Sequence, residues 1–136
     1  MVEMTETSTI LNQATAASFV VLDELGRGTS LQDGLALATV ATRHLASAIG
    51  CRTLFATHFH QLCAAPLPAT ISAHHVVAPI LADGSVTFSH VVQPGQARES
   101  HGLAVAGLAG VASPLLQSAA ILKADLDRCV VYPHAC

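Results

Sequence analysis

Residues 19–34 read FVVLDELGRGTSLQDG, from Phe19 through the adjacent acids Asp23 and Glu24 to Gly34. The apolar run at residues 19–22 is unbroken and β-branched at its centre. A strand covered on both faces of a parallel sheet is written this way, because neither side meets water and the polar alternation disappears. Asp23 and Glu24 stand at its carboxyl end. In open α/β sheets that edge is where ligands bind, since loops converge there on a crevice that the sheet holds rigid. Two neighbouring carboxylates at a buried strand end repel each other and lose hydration, so they call for a cation or a donor, and a magnesium ion with a phosphate is the usual one. An ordinary strand end whose solvated acids open a loop fits the same letters.

Gly26 and Gly28 flank Arg27, and glycines allow positive φ or a close backbone approach, so the spacing predicts a tight, shaped loop. Ser30 and Asp33 have the spacing of a helix-capping box ahead of LALATVATRHLASAI, which makes a cap as good a reading of Asp33 as any functional one. That helix is apolar on nearly all sides, carries Leu35, Leu37, Val40, Leu45 and Ile49, and ends at Gly50, so it is expected to be buried against the sheet. Residues 52–57, RTLFAT, form a second short strand with His58 where it runs out. Parallel neighbours joined by a right-handed crossover end at the same sheet edge, which puts His58 beside Asp23 and Glu24. A packed or surface histidine is the plain alternative. His60, in the following turn, reads as a surface residue.

Upstream, residues 3–15 favour a helix with Met4, Leu11, Ala14 and the position of Thr7 and Ser8 along one face. Downstream, Pro66 and Pro68 mark a loop. Residues 70–81 and 85–92 are β-rich runs separated by Asp83-Gly84, a hairpin turn signal. His74, His75 and His90 lie on these runs, but adjacent histidines on a strand face opposite ways and no cysteine shares their spacing, which argues against zinc. Residues 100–122 carry no Asp, Glu, Lys or Arg, a stretch long enough to cross a bilayer. Its Ser113-Pro114 pair instead predicts two packed helices, the second capped by Ser113 and running to about residue 128.

Of the 136 residues 51% are hydrophobic and only 11% charged, against about 25% charged in soluble domains at large. Such a skin is expected to be covered by further chain or by a second subunit. With net charge −3 and six scattered Lys and Arg, this stretch is not expected to grip a phosphate backbone by itself. Cys51, Cys63, Cys129 and Cys136 include no C-x-x-C pair, and the acidic start MVEMTETS has no apolar core of a signal peptide. Reduced thiols in the nucleus or cytoplasm are the expectation.

The apolar run followed by Asp-Glu is the Walker B arrangement of phosphate-loop ATPases. EMTETSTILNQAT before it, DELGRGTSLQDGLALA through it and TLFATHFHQL after it resemble, in order and spacing, the ATPase domain of the MutS family of DNA mismatch-repair proteins. The resemblance runs from Met1 to about Asp127. It implies an α/β, partial P-loop (ABC-type) ATPase fold: a mostly parallel sheet flanked by helices, an antiparallel hairpin at one edge and C-terminal helices. Residues 1–128 would be the C-terminal portion of that domain and residues 129–136 an unassigned tail.

The resemblance further implies ATP and Mg2+ as cofactors, with Asp23 holding magnesium, Glu24 orienting and deprotonating the attacking water, and His58 contacting the γ-phosphate. Residues 26–33 would face a second MutS-family subunit, with Gly28, Ser30 and Asp33 on the nucleotide-binding side. The helix at residues 3–15 would follow a loop that reaches the opposite subunit's nucleotide. Mismatched double-stranded DNA would be held by parts N-terminal to Met1, and no membrane partner is expected. His101 stands where the family has an aromatic residue, so that ring's contact is not carried over. The sequence has no G-x-x-x-x-G-K-[ST], so these residues alone are expected to bind ATP poorly and not to hydrolyse it. Three other readings stay open: a dimerisation piece, a metal-dependent hydrolase built on Asp23, Glu24, His58 and His60, and a catalytically silent remnant.

Overall fold

The computed structural model describes residues 2–63, 67–79, 87, 89–97 and 100–131. They fall into two units, Met1–His74 with Pro94–Gln96, and His75–Gln93 with Ala97–Cys136.

In the first unit α1 (Val2–Gln13), β1 (Phe19–Asp23), α2 (Leu31–Arg43) and β2 (Arg52–Ala56) follow in order. β1 and β2 pair in parallel, Phe19 opposite Arg52 and Asp23 opposite Ala56, so both strands finish together at one edge. A parallel pair cannot be closed by a tight turn, and α2 supplies the crossover. Ser30 caps α2 at the expected place, its Oγ accepting the Asp33 N–H at 3.2 Å. The helix runs on into a π-helical turn, His44–Ile49, and stops at Gly50, whose left-handed φ of 71° brings its N–H to the Leu45 carbonyl at 2.9 Å.

The core lies on one side of this small sheet. Val20, Leu22, Leu25, Ala41, Leu45 and Cys51 form the buried cluster, and Met4, Ile10, Leu11, Ala14, Ile49 and Phe55 pack against it. Met4, Leu11 and Ala14 are the apolar face expected of the first helix, so α1 and α2 cover the same face of β1. The expectation of a strand covered on both faces is thereby corrected: Phe19 and Val21 are 65% and 60% exposed and alternate with buried Val20 and Leu22. One layer of helices shields one face, and on the other Phe19, Val21 and Leu54 stay more than half exposed. α2 is corrected for the same reason. It buries Gly34, Ala38 and Ala41 while Leu37 and Val40 stay exposed. Small residues on the inward side let the helix come close to the strands.

After a 3-10 turn at His60–Cys63, β3 (His74–Val76) and β4 (Val92–Pro94) pair with each other. Gly95 N–H donates to the Ala73 carbonyl at 2.9 Å and Val77 N–H to that of Val91 at 3.1 Å, an antiparallel register. These strands are shorter than the runs 70–81 and 85–92. They also form a two-stranded sheet of their own rather than an edge of the β1–β2 sheet. The Asp83-Gly84 turn and Pro66 lie outside the described residues.

In the second unit α3 (Gly102–Leu108) packs on α4 (Ser113–Val131) where Gly107 meets Leu116: a Cβ at position 107 would stand 3.3 Å from Leu116 Cδ1. Pro114 sits in the first turn of α4, where its missing N–H costs no helical bond. The charge-free stretch is thus divided between two helices, and among the described residues no helix is long and apolar enough to cross a membrane. Residues 129–131 continue α4, and residues 132–136 lie outside the described part.

Candidate functional site

At the carboxyl edge of the parallel pair the ladder runs one residue past β1: Glu24 N–H donates to the Ala56 carbonyl at 2.9 Å. This bond ties the start of the loop to the end of β2, from which His58 follows two residues later. Glu24 itself is left-handed, φ 49°, a conformation that side chains with a Cβ rarely adopt. The chain turns there, with Arg27 N–H donating to the Glu24 carbonyl at 3.1 Å. The turn returns Arg27 to the Glu24 side chain, where Nη1 donates to Oε2 at 2.8 Å. The other oxygen, Oε1, lies 3.7 Å from His58 Nδ1, too long for a hydrogen bond but within ion-pair reach.

His58 is held from the segment that follows it. Phe59 N–H donates to Thr57 Oγ1 at 3.0 Å, and His60 N–H to the His58 carbonyl at 3.0 Å. The Phe59 ring is buried, and the His58 ring leans on it with centroids 4.4 Å apart. The imidazole is therefore half-exposed on an anchored turn, facing a carboxylate of which one oxygen is engaged by Arg27.

Asp23 closes β1 as an exposed residue, and among the described residues no hydrogen bond or ion pair engages its carboxylate. Gly28 is exposed in the loop, Ser30 serves as the cap of α2, and Asp33 stands in that helix's first turn, where an acid suits the positive end of the helix. The structure thus brings Glu24, His58 and Arg27 together beside Asp23, and no hydrogen bond or ion pair joins Gly28, Ser30 or Asp33 to them among the described residues. His60 begins the 3-10 turn and is exposed.

The donor set distinguishes between metals. Among the described residues no three or more His, Cys, Asp or Glu side chains converge as a metal site. A zinc-type hydrolase centre needs such a group, whereas magnesium is held by one or two carboxylates with substrate phosphates and water. An exposed, unengaged Asp23 next to Glu24 fits the second requirement. Of the cysteines whose side chains are described, Cys51 is buried and Cys63 half-buried, both as free thiols.

Sequence reading missed Glu3, Gly34 and Phe59. Gly26, φ 91°, presses on Gly34: a Cβ at position 34 would lie 2.4 Å from the Gly26 carbonyl oxygen and 3.0 Å from the Phe59 ring. A glycine inside the first turn of an apolar helix was a signal available for Gly34. Glu3 Oε1 accepts the Gly26 N–H at 2.7 Å, and nothing local marks it, since its partner is 23 residues away.

Comparison with known proteins adds a family. Residues 1–127 match the family described as MutS domain V. The chain is 47% identical over 133 residues to the DNA mismatch repair protein MutS of Sorangium cellulosum (strain So ce56), covering 98% of this chain and 14% of that protein. It is 43% identical over 129 residues to the protein of the same name from Chloroflexus aurantiacus (strain ATCC 29366 / DSM 635 / J-10-fl), covering 93% and 13%. With that of Roseiflexus castenholzii (strain DSM 13941 / HLO8) it shares 43% over 130 residues, covering 94% and 12%. The chain therefore spans about a seventh or less of the length of these relatives. They are bacterial, and the nuclear half of the expected localisation finds no support among them.

Proposed function

The chain belongs to the MutS domain V family, and on that premise we propose that it supplies the water-activating half of an ATP site in a DNA mismatch-repair protein. The observation that carries this reading is the meeting of Glu24 Oε1 and His58 Nδ1, 3.7 Å apart, at the edge where β1 and β2 end together. Asp23 would hold magnesium, which neutralises charge on the phosphates. Glu24 takes the proton of the attacking water on Oε1, while Arg27 keeps Oε2 occupied and the carboxylate oriented. His58 donates from its ring to the phosphoryl oxygens as their charge builds. Gly28, Ser30 and Asp33 lie on the loop and helix start that would face a second subunit's nucleotide.

The phosphate cradle, the rest of a P-loop sheet and the DNA-holding parts would come from outside these 136 residues. The uncovered face of β1 and β2, with Phe19, Val21 and Leu54 exposed, supports completion by further chain. In this reading residues 1–128 are the C-terminal portion of the ATPase domain, and partners are a second MutS-family subunit and mismatched double-stranded DNA.

The test replaces the matching segment of the Sorangium cellulosum protein with this chain and measures ATP turnover. Glu24→Gln should lower kcat by about 10²–10⁴-fold, as loss of a general base does, with nucleotide affinity retained. Undiminished turnover in that variant would end the proposal. The 136-residue chain by itself should bind a fluorescent ATP analogue in magnesium no tighter than about 10 μM.

A further inference from the structure

One contact joining distant parts of the first unit has no role in the site so far. Glu3, in the first turn of α1, accepts the Gly26 N–H through Oε1 at 2.7 Å. Gly26 is buried, and its N–H lies where β1 has ended and α2 has not begun, so no strand or helix ladder can satisfy it. A carboxylate is a strong acceptor for such an orphan, and 2.7 Å is at the short end for an N–H bond to a charged oxygen. The second oxygen, Oε2, comes 3.5 Å from the position a Cβ on Gly28 would take. Glu3 therefore spans both glycines around Arg27.

Packing holds the start of the loop, with Leu25 buried in the core cluster. There Gly26 is pressed against Gly34, which the buried Phe59 ring backs. Beyond Gly26 a cavity of about 200 Å³, lined by Glu3, Met4, Gly28, Thr29 and Leu37, opens between α1 and the exposed residues Gly28 and Thr29. From α1 the loop backbone past Leu25 is tied by the Glu3 hydrogen bond to Gly26 N–H.

We propose that Glu3 is a positioning residue for residues 24–28: by accepting the Gly26 N–H it holds the turn from which Arg27 pins Glu24 Oε2, and so sets the aim of Glu24 Oε1. The link to turnover rests on the reading of Glu24 as the water-activating group, whereas the contact itself does not.

Two variants and two measurements test it. Glu3→Ala removes the acceptor; Glu3→Gln keeps an oxygen in the same place without the charge. In the hybrid ATPase, Glu3→Ala should lower kcat by about ten- to a hundredfold, the scale of a small misplacement of a reacting group. Nucleotide affinity should stay within about twofold, and Glu3→Gln should recover most of the lost turnover. In the 136-residue chain, NMR should find the Gly26 amide slow to exchange in the parent and in Glu3→Gln, and faster in Glu3→Ala. Unchanged kcat in Glu3→Ala, an equal fall in both variants, or a Gly26 amide indifferent to the substitution would overturn the proposal. If instead Glu24→Gln leaves turnover intact, it is the ATPase reading that fails, and the Gly26 amide still decides what Glu3 does.

Discussion

Glu24 occupies a left-handed backbone position, φ 49°, that a glycine would hold without strain, and the side chain is kept there by Arg27. The arrangement trades local stability for a carboxylate at the strand edge. Glu24→Gly and Glu24→Ala both lose the carboxylate, but only alanine keeps the Cβ clash, so Glu24→Gly should be the more stable of the two by about 1 kcal/mol in urea titration. The neighbouring glycines are not equivalent. Gly34→Ala drives a methyl group into the Gly26 carbonyl and the Phe59 ring and should cost about 1–3 kcal/mol. Gly28→Ala meets only Glu3 Oε2 at ordinary contact distance and should stay within about 0.5 kcal/mol of the parent. Sequence marked Gly26 and Gly28 alike, since both bracket Arg27. Which one is pressed against a helix depends on how α2 approaches the loop, and no spacing encodes that.

At the scale of elements, the unit β1–α2–β2 does the positioning. Its start is local chemistry: Ser30 caps α2 through a bond three residues long, and for that reason the cap was legible in the letters. Ser30→Ala should lower stability by about 1 kcal/mol, read from the shift in denaturation midpoint. The far end depends on packing. Leu45, fully buried in the π-helical turn, joins α2 to the core under β1, and Leu45→Ala should cost about 2–5 kcal/mol by leaving a cavity. The juxtaposition of His58 with Glu24 was also foreseeable, because parallel strands joined by a helix must finish at one edge. The hairpin was less so. Residues 74–76 and 92–94 pair with each other and not with β2, a choice between edges that strand propensity leaves open.

For the molecule as a whole, the low charge and the exposed apolar side chains express one condition. Phe19, Val21 and Leu54 lie on the uncovered sheet face, and Leu115, Ile121, Leu122 and Leu126 line exposed parts of α4. Surfaces of this kind associate in water. Sedimentation velocity should find the 136-residue chain self-associated at micromolar concentration. Val21→Thr with Leu54→Thr should shift it towards monomer without lowering the melting temperature by more than a few degrees, since neither side chain is part of the buried core. A chain that stays monomeric before any substitution would count against the dimerisation reading.

What the sequence determined by itself is whatever a few neighbouring residues settle: the strand–helix–strand order, the cap at Ser30, the stop at Gly50, and the acids and the imidazole at one sheet edge. The tertiary structure alone decided how many faces of β1 and α2 are covered, which oxygen of Glu24 Arg27 takes, and that Glu3 holds Gly26. These turn on groups brought together across tens of residues and on how much of each layer has a neighbour, quantities that hydrophobic pattern bounds but does not specify.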